Sequence, residues 1–305
     1  MKILITGGSG FIGSHVVEHY QDRAEIVVLD NFRTGHRANL AGLSCELVEG
    51  SILDRALLDQ VIKGVDAVFH LAALVSVPES MERPAETVDL NEHGLLNVLE
   101  ASRQAGVGKL CFASSAAVYG EIKESPKVET MRPDPRSPYA ITKLAGEYYC
   151  DLYAREGWLQ TACLRFFNVF GPRQDPKSAY AAAVPIFAQR ALRHEPLTIY
   201  GDGEQTRDFI YVKDIAGALA FLAEHQEVTG VFNAGYGGSV TINQLVERIL
   251  RATNSTSEIT HGPVRSGDVR HSSADAAKLR SSGWNPLFDL ESGLARTIQD
   301  LGRTA

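Results

Sequence analysis

TGGSGFIG (Thr6–Gly13) decides the fold of this chain. It follows the apolar run KILIT (Lys2–Thr6) and leads straight into a stretch with helical periodicity, 11–21. Gly7, Gly10 and Gly13 therefore stand in a strand–turn–helix. Glycine permits the tight turn and lets backbone approach a pyrophosphate, while the helix N-terminus offers free N–H groups and a partial positive charge. The spacing is GxxGxxG rather than the commoner GxGxxG, so the position in a strand–turn–helix carries the reading more than the spacing does.

Outward from this loop, short apolar runs alternate with longer amphipathic ones. EIVVLD (25–30), CELVEG (45–50), AVFHLA (67–72), KLCFASS (109–115) and TACLRFF (161–167) read as buried strands. Their Val, Ile, Leu and Phe do not alternate strictly with polar residues, as expected of a parallel sheet covered on both faces. Helices are predicted over 11–21, 54–63, 85–106 and 138–156. The fold class is therefore α/β: a doubly wound parallel Rossmann sheet with a smaller C-terminal α/β substrate-binding region. Residues 1–170 are expected to form the dinucleotide-binding domain and 171–305 mainly the substrate domain, with some segments interleaved. In the second part, helices are predicted over 180–193, 213–224, 241–252 and 290–301.

Composition narrows the function classes. The formal charge of −7 argues against nucleic acid as a partner. No window approaches the roughly 18 apolar residues of a membrane span, so no membrane insertion is expected. The opening apolar run is too short for a signal peptide. The four cysteines (Cys45, Cys111, Cys150, Cys163) form no CxxC, so neither a metal site nor a disulfide framework is expected. A cytoplasmic location fits these features.

The second strand ends in Asp30, 17 positions after Gly13. A carboxylate there accepts hydrogen bonds from an adenosine ribose and repels a 2′-phosphate, which selects NAD over NADP despite the nearby Arg33. SPYAITK (137–143) puts Tyr139 and Lys143 at i and i+4, on one helix face. A tyrosine hydroxyl titrates near 10, and a neighbouring ammonium together with a positive nicotinamide should favour the phenolate and make it a general base. FASSAAVYG (112–120) ends the fifth strand in two serines; Ser115 lies 24 positions before Tyr139 and could share its proton, with Ser114 as the rival.

TGxxGxxG, Asp30-Asn31, FHLAA, Asn91, the serine strand end and YxxxK together resemble the extended short-chain dehydrogenase/reductase family. LRFFNVFGPRQ (164–174) and YGDGEQTRDFIYVKD (200–214) resemble its nucleotide-sugar epimerases, so the likeness covers nearly the whole chain. The resemblance implies an NAD-dependent UDP-sugar 4-epimerase acting through a transient 4-keto sugar, on UDP-N-acetylglucosamine and on UDP-glucose. It implies catalytic roles for Ser115, Tyr139 and Lys143. Cofactor contacts would fall on Gly7, Gly10, Phe11, Ile12, Gly13, Asp30, Asn31, Ser51, Ile52, Leu71, Ala72, Ala73, Asn91, Tyr139 and Lys143. Substrate contacts would fall on Asn168, Arg207 and Arg265, with Asp268 at the uridine ribose, and a homodimer would form through a four-helix bundle.

Some positions discriminate within the family. Its 4,6-dehydratases and decarboxylases carry an acid just after the active-site serine or threonine, where Ala116 and Ala117 stand here, which favours plain epimerisation. Ser51 replaces an aspartate that often contacts adenine, and Val75 a lysine near the cofactor ribose. VRSGDVRHSSAD (264–275) is too compact for a Ser/His/Asp triad. The resemblance lays it across the nucleotide sugar, with Ser272 where glucose-restricted enzymes carry a tyrosine, leaving room for an N-acetyl group. Alternatives are a UDP-glucuronate 4-epimerase or another nucleotide-sugar oxidoreductase, and, on the same fold, a non-catalytic NAD-sensing regulator.

Overall fold

A computed structural model describes residues 1–176, 182–264 and 269–304. The apolar runs become six strands, β1 (Lys2–Thr6), β2 (Glu25–Asp30), β3 (Glu46–Glu49), β4 (Ala67–His70), β5 (Lys109–Ser115) and β6 (Gln160–Phe166). Four short strands follow, β7 (Asn168–Phe170), β8 (Leu197–Tyr200), β9 (Thr206–Arg207) and β10 (Phe209–Tyr211), and then β11 (Gly230–Ala234). The main sheet is entirely parallel, in the order β11-β6-β5-β4-β1-β2-β3. The order reverses between β1 and β4, and in such sheets ligands bind outside the carboxyl ends of strands at that switch point.

Helices α1 (Phe11–Tyr20), α2 (Arg55–Val61), α3 (Val77–Glu82), α4 (Pro84–Val88), α5 (Gly94–Ala105), α6 (Pro138–Arg155), α7 (Ala183–Leu192) and α8 (Val212–Glu224) fill the connections. One face of the sheet buries Val16, Val17 and Tyr20 of α1 and Ile215, Leu219 and Leu222 of α8; the other buries Leu58, Leu95, Leu99 and Cys150 of α2, α5 and α6. Each buried aliphatic side chain contributes roughly 1.5–3 kcal/mol on leaving water. The expected helix 85–106 is broken: a π-helical turn, Asp89–His93, separates α4 from α5. Helix α3 was not legible, because its six residues are too few to show a period.

The C-terminal stretch adds β12 (Val240–Thr241), α9 (Ile242–Thr253), β13 (Ile259–Gly262), β14 (His271–Ser272), α10 (Ala277–Ser281) and α11 (Leu290–Thr304). Helices α7, α9 and α11 close a separate core around Phe187, Leu245, Ile249 and Leu294. Segments from 171–305 also serve the large sheet, since β11 pairs with β6 and α8 covers one face. Among the described residues, no helix is long and apolar enough to cross a membrane.

Candidate active site

The glycine loop stands where β1 and β4 diverge. Gly7 has φ +75°, and a Cβ on it would lie 2.7 Å from the Ala72 amide nitrogen. On Gly13 a Cβ would lie 2.3 Å from the Gly7 carbonyl oxygen, so both positions exclude a side chain. Gly10 caps α1 in an extended conformation and provides no side-chain acceptor; the N–H groups of Phe11 and Ile12 thus begin a helix with its positive end open. The Leu71–Ala73 turn after β4 forms the opposite wall, with Leu71 N donating to the Thr6 carbonyl at 3.0 Å.

Asp30 supports this cradle. Its Oδ2 accepts from Ser9 N at 2.9 Å and its Oδ1 from Phe32 N at 2.8 Å, so the carboxylate is fixed before any ligand arrives, with a lone pair left on each oxygen. Asn31 turns its Oδ1 to Arg33 N at 3.2 Å. The Arg33 guanidinium reaches away to Glu79 at 2.8 Å and to Glu86, so two carboxylates neutralise this cation, which would otherwise favour a 2′-phosphate. A dinucleotide with a free ribose fits this donor set. Ser51 spends its Oγ on Leu53 N at 3.2 Å, and Ile52 is buried in the core.

Asn91, expected at the cofactor, makes three buried hydrogen bonds within the chain. In the π turn its Oδ1 accepts from Leu74 N at 2.7 Å, and its Nδ2 donates to the Leu74 carbonyl at 3.1 Å and to Thr142 Oγ1 at 3.0 Å. It ties the β4 loop to the helix that carries Tyr139, which makes it a brace between the walls of the site.

Ser137 caps α6, accepting from Ala140 N at 3.2 Å, and Pro138 opens the helix. That start places Tyr139, half-buried, at the end of β5 beside Ser115, whose hydroxyl favours the ionised form of the phenol. Ser115 also accepts from Ala117 N at 3.1 Å, capping the 3-10 turn Ala116–Tyr119. Lys143 donates to the Ala113 carbonyl at 2.8 Å, with its ammonium 4.9 Å from the Phe112 ring centre and 5.7 Å from that of Tyr139. Ser114 is turned elsewhere, onto Glu147, so of the two serines Ser115 is the one beside the tyrosine.

Burial adds a contribution that the expectation of an ammonium and a nicotinamide favouring phenolate did not include. Burial pushes the Tyr139 hydroxyl above its ordinary 10, and the Ser115 bond offsets this only in part. Burial lowers Lys143 to about 8, which leaves it mostly charged at neutral pH. His70, hydrogen-bonded at Nδ1 to Thr6 Oγ1 at 2.8 Å, is driven down to about 3 by burial and by the Lys143 charge, and so stays neutral. The chain alone keeps Tyr139 protonated; a further positive charge is needed to release it.

A cavity of about 370 Å³ is lined by Asn168, Phe187, Tyr200, Arg207 and Phe209. Asn168 donates to the Asp208 carbonyl at 3.1 Å. Ser272 of β14 stands in register beside Arg207 of β9, half-buried. Arg265 and Asp268 lie outside the described residues. One functional support escaped the sequence reading: Asp208, fully buried, accepts from Tyr236 N, Gly237 N and Ala274 N, each at 3.0 Å, and so locks the strands that bear Asn168, Arg207 and Ser272. An acid set into the apolar DFIYV was the available signal. Among the described residues, no His/Cys/Asp/Glu group could hold a metal.

Comparison with known proteins agrees with this arrangement. The model of the NAD dependent epimerase/dehydratase family matches residues 3–235. A solved UDP-N-acetylglucosamine 4-epimerase from Methanobrevibacter ruminantium M1, in complex with UDP-N-acetylmuramic acid, has a TM-score of 0.96 at 39% identity, covering 100% of this chain and 99% of that one. UDP-glucose 4-epimerase from Thermotoga maritima, solved with UDP-glucose, has a TM-score of 0.95 at 41% identity, with 100% and 99% coverage. UDP-glucose 4-epimerase from Mycolicibacterium smegmatis is 34% identical over 307 residues, spanning 98% of each chain.

Proposed function

The chain belongs to the NAD-dependent epimerase/dehydratase family, and from that premise we propose that it is a UDP-sugar 4-epimerase interconverting UDP-N-acetylglucosamine with UDP-N-acetylgalactosamine, and UDP-glucose with UDP-galactose. The observation that carries this reading is the meeting of Ser115, Tyr139 and Lys143 at the carboxyl end of β5, in a chain that also holds the glycine cradle and the Asn168–Arg207 cavity. Gly7, Gly10, Gly13 and Asp30 would hold NAD. Bound there, NAD would supply reversible hydride acceptance for oxidation and re-reduction at the sugar C4.

The chain's own residues manage the proton and the geometry. Tyr139 accepts the 4-hydroxyl proton and later gives it back, so the reaction leaves the solution pH unchanged. Ser115 holds the tyrosine oxygen and the sugar hydroxyl in one hydrogen-bonded chain. Lys143, mostly ammonium at neutral pH, opposes the effect of burial on the tyrosine. Asn168 and Arg207 would bind the nucleotide, with Arg265 on the diphosphate and Asp268 on the ribose. Ala116 and Ala117 follow Ser115 directly and supply no acid for elimination or decarboxylation. The short Ser272 beside Arg207 favours acceptance of the N-acetyl group. A homodimer is part of the same reading: Ile141, Tyr148 and Leu152 form an exposed apolar stripe on α6 near the exposed Met81 and Val88, suited to a four-helix bundle with a second copy.

The test is to incubate the protein with each UDP-sugar and follow epimers by NMR. UDP-N-acetylglucosamine should reach a mixture with its 4-epimer without net formation of NADH. Ser272→Tyr should abolish that conversion and spare UDP-glucose, since overpacking costs roughly 1–3 kcal/mol. Stoichiometric turnover of the nicotinamide would overturn the epimerase reading, and equal loss on both sugars the assignment of Ser272.

A further inference from the structure

Tyr139, Lys143 and Glu147 recur at i, i+4 and i+8, so all three lie on one face of α6. Their partners are three consecutive residues at the end of β5. Tyr139 faces Ser115, Lys143 donates to the Ala113 carbonyl, and Glu147 Oε1 accepts from Ser114 Oγ. Two of these rungs are accounted for by the chemistry. The third is not.

Glu147 is held from a second side. Arg165 of β6, in register opposite Ser114, donates from Nε to Glu147 Oε1 at 2.8 Å and from Nη2 to Oε2 at 2.7 Å. The pair is almost wholly buried, at 3% and 4% exposure. The guanidinium lies 4.7 Å from the Tyr119 ring centre, and the Tyr119 hydroxyl donates to Asn233 Oδ1 of β11 at 2.7 Å. One charged pair thus links α6 to β5, β6 and β11. Burying two charges costs desolvation that their attraction barely repays, and apolar residues of equal size would pack a helix on a sheet as well. What the pair supplies instead is direction: a fixed acceptor that a single serine proton must point at. A cavity of about 860 Å³ opens behind it and is lined by Glu147, Arg165, Leu144 and Tyr148. Packing from behind does not press the pair into place; hydrogen bonds do.

We propose that Glu147, oriented by Arg165, is a positioning residue for the reaction: through Ser114 it sets the end of β5 against α6 and so fixes Ser115 relative to Tyr139. This rests on the reading of Tyr139 as the base. The groups facing Tyr139 are Ser115 of β5 and Lys143 of its own helix, and Lys143 in turn feels His70 of β4. Loss of the Ser114 anchor lets Ser115 drift, which weakens the bond that partly offsets burial.

Two variants test this in NAD-loaded protein. Ser114→Ala removes one hydroxyl and leaves the ion pair whole. Glu147→Leu combined with Arg165→Met removes both charges at similar volume and guards against a misfolded single variant. Both should keep a thermal midpoint near wild type and lower kcat by roughly 10- to 100-fold, with KM for the UDP-sugar within about twofold. Ser114→Thr should restore kcat. The tyrosinate absorbance of Tyr139, isolated by subtracting a Tyr139→Phe spectrum, should titrate at higher pH in both variants than in wild type. Wild-type kcat with an unshifted titration overturns the proposal, and so does a kcat loss that tracks unfolding without that shift. If the wild type epimerises no UDP-sugar, the functional reading fails, while the tyrosinate titration still decides the positioning.

Discussion

The proposed cofactor end and the proposed sugar-nucleotide end of this site are built on opposite plans. At the cofactor end, residues close in sequence form the contact surface, and backbone does most of the work. Thr6–Gly13 and Asp30 interlock through main-chain hydrogen bonds, and the exclusions at Gly7 and Gly13 are steric. At the other end, Asn168, Arg207 and Ser272 come from three strands of two or three residues each, and a single buried carboxylate, Asp208, holds them together. One end is fixed by local chain geometry, the other by a long-range polar hub. The first tolerates distant change and no local change; the second is the reverse.

Acid should separate the two ends most strongly. His70, at the cofactor end, has a folded pKa of about 3 against an unfolded value near 6.5. The unfolded chain therefore binds the extra proton first, and stability falls as pH drops through 6.5 toward 3, by on the order of 4 kcal/mol in that window. Asp208 runs the other way. Burial raises its carboxyl, so its proton is taken up earlier in the folded state and acidification opposes unfolding there. Melting measured across pH should show a decline that His70→Gln flattens and that Asp208→Asn steepens. A His70→Gln profile identical to wild type would break the comparison.

Next in size is Gly13→Ala. The new Cβ meets the Gly7 carbonyl at 2.3 Å, and the loop must shift, for about 3 kcal/mol or roughly 100-fold weaker NAD binding. UDP binding, measured by calorimetry, should stay within about twofold, because the hub lies elsewhere. Smallest is Asp208→Ala, which strands three backbone amides for about 2 kcal/mol of local stability. It should raise KM for the UDP-sugar roughly tenfold while NAD affinity, followed by fluorescence, is unchanged. Loss of NAD affinity in that variant would show the two ends to be one unit.

The same contrast explains what could be read from sequence. Strands β1, β2, β4, β5 and β6 and the pairing of Tyr139 with Lys143 are contiguous patterns, so periodicity and spacing exposed them. Ser115 versus Ser114 could not be separated by spacing, because the choice depends on Glu147, 33 positions away on another element. Asn91 carried a family expectation, but its partners Leu74 and Thr142 meet it only through the π turn. The acid in DFIYV marked Asp208, but its role could not be read because its partners, Tyr236, Gly237 and Ala274, are strung along a distant part of the chain. The phenolate expectation weighed the Lys143 ammonium and a bound nicotinamide against a free hydroxyl and left out burial, which raises the Tyr139 hydroxyl in the chain by itself.

The seventh strand has a bearing on how such a chain is made. β11 closes the sheet beside β6, yet it is synthesised more than sixty residues later. Until then β6 is a hydrophobic edge with unpaired backbone groups, open to any neighbouring chain. A nascent polypeptide ending at residue 170 would carry every cofactor motif and still be an aggregation template. Biogenesis therefore favours holding the first six strands open, by chaperone or ribosome, until the C-terminal segment arrives.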